Sequence, residues 1–78
     1  MSKNEINLLN DVSEYVARQF ANGSKTVYRT YIWAVMEDRN KWGKFGKQLT
    51  VELLQEAARI NGAVYINDNG RARIVKEV

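Results

Sequence analysis

The sequence predicts an α+β domain: three helices followed by a C-terminal β-hairpin, all within one unit spanning residues 1–78. Three observations carry that prediction. Apolar residues recur at three- and four-residue spacing between Leu8 and Ile60. Two alternating runs flank an Asn69-Gly70 pair near the end of the chain, the local signature of a hairpin. No proline, internal repeat, low-complexity tract or linker interrupts the pattern.

The first helix is expected from about Glu5 to Asn22. Asn4 serves as its N-cap, because a side-chain oxygen there can accept an orphan amide, and Glu5 lies near the positive end of the dipole. Leu8, Leu9, Val12, Val16 and Phe20 form its apolar stripe, with Tyr15 at the border. Asn22-Gly23 supplies the left-handed stop. The second segment, "TVYRTYIWAVMEDR", is rich in β-branched and aromatic residues, which favours a strand. Its spacing favours a helix: Val27, Tyr31 and Val35 recur every fourth residue, as do Tyr28, Ile32 and Met36. Pattern outweighs propensity over such a window, so a helix is predicted from about Thr26 to Arg39. Trp33 lies off both series and is the expected exposed member. The third helix should start at Thr50, an N-cap residue, and end near Asn61 with Gly62 at the stop. Leu53, Leu54, Ala57, Ala58 and Ile60 form its apolar side.

The hairpin lies in "AVYINDNGRARIV". A two-residue Asn69-Gly70 turn would pair Ile66 with Arg73 and put that arginine beside the aliphatics. A three-residue loop ending in a left-handed Gly70 pairs Ile66 with Ala72 and Val64 with Ile74 instead. One face is then Val64, Ile66, Ala72 and Ile74; the other carries Tyr65, Arg71 and Arg73. Register follows burial, so the second arrangement is the expected one.

Composition bounds the chemistry. A chain of 78 residues buries only about 60–65% of the surface its unfolded form exposes, so stability should be marginal. With 45% hydrophobic and 27% charged residues, the composition is that of a globular protein. There is no cysteine and no histidine, which removes thiol chemistry, the commonest general base and the commonest metal ligand. Glu37 and Asp38 are adjacent and point about 100° apart on a helix, so they do not share a site. Ser13 and Ser24 have no histidine to activate them. No catalytic site, cofactor or metal is expected. No apolar run approaches the roughly 20 residues of a membrane span, and "MSKNEINLL" lacks the order of a signal peptide. A cytoplasmic (or nuclear) protein with no membrane partner is the expectation. The net charge of +3 and pI of about 9.4 tilt the balance toward anionic partners.

Helix, helix, a short third helix after a turn, then a hairpin: in that order the chain resembles a winged-helix DNA-binding domain. The resemblance rests on the order of elements across nearly the whole chain. "SKTVYRTYIWAVMEDR" stands as the second helix, "LTVELLQEAARIN" in the recognition-helix position and "AVYINDNGRARIV" as the wing. Only "GSKTV" could supply the short strand that the family usually places between its first two helices. The resemblance implies that Gln55 and Arg59 read bases and that Arg71 and Arg73 are wing contacts. Glu52 and Glu56 oppose a phosphate-rich partner on that third helix, because carboxylates accept well only from a cytosine amino group. The loop and the wing would therefore carry more of the binding.

That loop is "NKWGKFGKQLT", where Lys41, Lys44 and Lys47 follow Arg39 with no acid among them. The lysines could neutralise phosphates, with Gly43 and Gly46 allowing close approach. Trp42 and Phe45 could stack on unpaired bases or fold inward over the core. Arg71 and Arg73 could straddle a backbone beside Tyr65, or form an ordinary polar face with Arg73 stacked on that ring. Two functions follow. One is a small nucleic-acid-binding regulator acting on duplex DNA, with the apolar second helix supporting a homodimer. The other is a non-enzymatic protein-interaction module that binds a larger macromolecular machine; basic one-domain proteins of this kind are common in phages and mobile elements. Trp33, Trp42, Phe45 and Tyr65 would then be the anchors.

Overall fold

The computed structural model describes residues 2–40 and 49–77. Their elements run α1 (Lys3–Ala21), β1 (Thr26–Tyr28), α2 (Arg29–Asn40), α3 (Val51–Ile60), β2 (Ala63–Asp68) and β3 (Arg71–Lys76). The class is α+β, with helices packed on an antiparallel three-stranded sheet of order β1-β3-β2. The hairpin is therefore not the whole sheet.

Helix α1 begins two residues earlier than Asn4 would allow. Ser2 is the N-cap: its Oγ accepts the Glu5 amide at 3.2 Å, and Glu5 Oε1 accepts from the Ser2 amide at 3.4 Å. Reciprocal bonds satisfy two orphan groups, which Asn4, with Asn7 three residues on, cannot arrange. The expected stripe of Leu8, Leu9, Val12, Val16 and Phe20 is buried. After the Asn22 C-cap, Gly23 adopts φ 97° and turns the chain toward the sheet.

The second helix starts at Arg29 rather than Thr26, because Thr26, Val27 and Tyr28 pair with Val75, Ile74 and Arg73. The Lys76 amide extends this pairing by donating to the Lys25 carbonyl at 2.9 Å. Pairing at a sheet edge satisfies backbone groups while burying Val27 against Ile74, and that outweighs the helical spacing. Within α2, Ile32 and Met36 are fully buried. The exposed aromatic is Tyr31, at 63%, and not Trp33. Trp33 packs partly against the core, its indole donates to Glu37 Oε2 at 3.0 Å, and the Arg29 guanidinium lies 5.2 Å from its ring centroid. An ion and a hydrogen-bond acceptor from the same helix thus hold the indole in place.

Helix α3 is capped by Thr50, whose Oγ1 accepts the Leu53 amide at 3.2 Å. Leu53, Leu54, Ala57 and Ala58 are buried, while Ile60, expected on the apolar side, is exposed. Its C-cap, Asn61, ties two helices together: Nδ2 donates to the Ser13 carbonyl of α1 at 3.1 Å and to the Ala57 carbonyl at 3.0 Å. Leu49, just before the cap, joins the same core.

The hairpin takes the two-residue register that pairs Ile66 with Arg73 and Tyr65 with Ile74. Asn69 (φ 50°) and Gly70 (φ 73°) are both left-handed, the geometry whose twist matches that of paired strands. The core-facing set is therefore Ala63, Tyr65, Ala72 and Ile74, not Val64, Ile66, Ala72 and Ile74. Tyr65 packs on the core instead of facing outward beside Arg73. Val64, Ile66 and Val75 share the outer face with Arg71, Arg73 and Tyr28.

Candidate functional site

The candidate site is built from the hairpin turn upward. Two left-handed residues at 69 and 70 bring Asp68 opposite Arg71, and alternation then directs Arg71 and Arg73 to the outer face. Arg73 Nη1 donates to Asp68 Oδ1 at 2.8 Å and to the Arg71 carbonyl at 2.9 Å, while Nη2 donates to Asp68 Oδ2 at 3.3 Å. The side chain of Arg73 is only 21% exposed. Its guanidinium hydrogen bonds hold the Asp68 carboxyl below its ordinary value, and the charge on Arg71 adds a weaker pull. Asp68 thereby fixes one fork of the hairpin, and Arg71 stands exposed beside it.

The third helix presents a different balance. Gln55 and Arg59 are exposed, as the resemblance requires of base-reading residues. Arg59, however, is bound to Glu56 through both Nε (3.1 Å to Oε2) and Nη2. That pair lowers the Glu56 carboxyl and raises the Arg59 guanidinium. With Glu52 in the first turn, the outward face of α3 carries more acid than base among its side chains. Arg39 is exposed in the last turn of α2. Lys41, Lys44, Lys47, Trp42 and Phe45 lie outside the described residues, and so does the expectation that those lysines join the hairpin arginines on one surface.

Where β1 gives way to α2, the chain builds a corner that the sequence reading missed. A recess of about 400 Å³ there is lined by Tyr28, Arg29, Thr30, Tyr31, Arg71 and Ala72. Ala72, on the inner face of β3, lies in that lining beside the start of α2. Tyr28 and Tyr31 meet edge to face, with centroids 6.3 Å apart and planes at 67°. On the outer side of Arg71 a second recess is shared by Tyr28, Asp68, Asn69 and Arg73. Arg71 and Tyr28 line both.

Chain comparison adds no family. No protein-family model matches this sequence, and neither a curated protein nor a solved structure proves similar to it.

Forked guanidiniums bind phosphate or carboxylate oxygens bidentately, and exposed tyrosines offer flat faces with a polar tip. No acidic side chain lines the inner recess, whereas Asp68 lines the outer one. Among the described residues no group of three or more His, Cys, Asp or Glu gathers to hold a metal ion. None of their helices is long and apolar enough to cross a membrane. The signal for Arg29 and Tyr31 was present in "VYRTY", where base and aromatic alternate. It was hidden because those residues were read as the interior of a helix whose first turn is in fact a strand.

Proposed function

We propose that this protein is a small nucleic-acid-binding protein of winged-helix type. Its hairpin and the β1–α2 corner supply the affinity, and α3 plays a lesser part. The observation that carries the reading is that Arg29 and Arg71, from two elements, line one recess in whose wall, among the described residues, no acidic residue stands. The strand order β1-β3-β2, with a short strand between the first two helices and α3 directly before the hairpin, is the arrangement such a domain needs. Basic residues from "RNKWGKFGK" would extend the contact along a phosphate backbone. The acid excess on α3 argues for weak base selectivity, since Glu52 and Glu56 repel phosphates at the place where a reading helix would enter a groove.

Fluorescence anisotropy on a labelled DNA duplex across a salt series tests this. About five phosphate contacts give a slope of log affinity against log salt near −4 to −5. Arg71→Glu and the double variant Lys44→Glu, Lys47→Glu should each weaken binding and flatten the slope. Binding that is feeble in low salt and indifferent to these reversals would refute the reading.

A second reading, a protein-interaction module, draws on the outer sheet face. Val64 is 40% exposed there, with Ile66 and Val75 half-buried beside Arg73. Aliphatics around an arginine are the make-up of a protein contact. Under this reading Val64→Glu abolishes capture of a partner and leaves the folded monomer intact by circular dichroism; unchanged capture would reject it.

A further inference from the structure

We propose that the inner recess takes one unstacked nucleotide, its base lying on Tyr31 and its phosphate held by Arg71. The inference rests on the nucleic-acid reading above and specifies what kind of strand the site selects. Tyr31 is the most exposed large aromatic among the described residues, on an element otherwise occupied with core packing. Nothing in the fold of α2 asks for a tyrosine there: Ile32 and Met36 fill the core, and Trp33 and Val35 flank it. Tyr28 abuts its ring edge to face and limits its rotation, so an aromatic surface is presented at little further cost in side-chain entropy. Bases inside a duplex already stack on their neighbours and cannot offer a face to a protein ring. Only a base at a single-stranded end, gap or loop can.

The rest of the recess fits the same ligand. Its volume of about 400 Å³ falls inside the ~300–1,000 Å³ typical of small-ligand sites. Arg29 arrives on the first turn of α2, its guanidinium resting on the Trp33 ring, and Arg71 arrives from the start of β3. Arg29 and Arg71 thus reach the wall from two separate elements, with Thr30 beside them in its lining. Aromatic stacking with forked cations alongside is how single strands are gripped without sequence readout. Asp68 lines the second recess, where it is bound to Arg73, and is not part of the first recess's lining.

The experiment compares three labelled DNAs by anisotropy: a blunt duplex, the same duplex with a single-stranded extension, and the extension strand alone. The wild-type protein should bind the extended duplex more tightly than the blunt one. Tyr31→Ala should remove that preference, weakening the extended substrate by about 5- to 150-fold and leaving the blunt duplex unchanged. Tyr31→Phe should retain it, since stacking needs the ring and not the hydroxyl. Arg71→Ala should weaken all three. Equal binding of blunt and extended duplexes, or a Tyr31→Ala protein that keeps the preference, overturns this inference and leaves nucleic-acid binding standing. No binding to any of the three DNAs defeats both. Tyr31 is exposed, so its removal spares the core, and a circular dichroism melt of Tyr31→Ala verifies that it folds.

Discussion

Asp68 is the residue on which the hairpin's charge arrangement turns. It accepts two bonds from Arg73, so its folded carboxyl is held below the ordinary value near 3.8. Between the folded and ordinary values the unfolded chain binds the extra proton, so stability rises with pH across that window. The contribution is present in full above the ordinary carboxylate range and is lost as acid takes pH down through the folded value. A carboxyl-carbon NMR titration should show an acid-shifted midpoint for Asp68 that Arg73→Gln returns to normal. An unshifted midpoint in the wild-type protein would mean that the pair does not form in solution. Glu56 follows the same sign through Arg59. Both pairs restrict arginines that a sequence reading treats as available for ligands, which leaves Arg29 and Arg71 as the arginines of the inner recess.

Among the elements, the hairpin depends most on one local conformation. Asn69 and Gly70 both hold positive φ, and a Cβ built on Gly70 would meet nothing within 4 Å. Any penalty for replacing Gly70 is therefore one of backbone and not of crowding. Gly70→Ala should lower unfolding free energy by about 1–2 kcal/mol in urea, whereas a D-alanine introduced there by synthesis should be tolerated. Equal stability of the two would show that the turn is not left-handed. The same turn sets the register of the whole hairpin. A three-residue loop would leave Arg73 on the outer face but turn Tyr65 outward and bring Val64 and Ile66 inward. The twist-matched two-residue turn leaves them outside, where they flank the guanidinium that Asp68 clamps.

Over the whole molecule, one buried cluster draws on every described element, and Ile74 sits at its sheet-side centre, paired with Val27 and Tyr65. A domain of this length has about 4–12 kcal/mol of stability in total. Ile74→Ala removes about 2–5 kcal/mol, so the variant should lose much or all of its cooperative melting transition near room temperature. A melt within a few degrees of wild type would show that the middle strand is not the keystone described here. Because β1 reaches the sheet only through Ile74 and its neighbours, loosening this strand should also disorder the Tyr28–Tyr31 corner.

Much of the fold was legible locally. The stripe of α1, the Thr50 cap, the alanine-lined face of α3 and the presence of a turn near Asn69-Gly70, though not its two-residue form, follow from spacing and from residue types whose physics acts within a few positions. What local pattern could not supply was the state of Thr26, Val27 and Tyr28, because their hydrogen-bond partners lie at the far end of the chain and no periodicity encodes them. Hairpin register failed for a related reason. Burying the most aliphatic residues is a sound rule only when the sheet has no other apolar set, and Ala63, Tyr65 and Ile74 already filled the available core. The corner of Tyr28, Arg29, Tyr31 and Arg71 exists because strand pairing ends there and a helix begins. Sequence alone determined the presence of three helices, their stops and the place of a turn before β3, since those are short-range energies. Tertiary structure decided which strand joins the sheet, which face looks outward and which arginines stand beside an open recess, since those depend on long-range pairing competing for one small core.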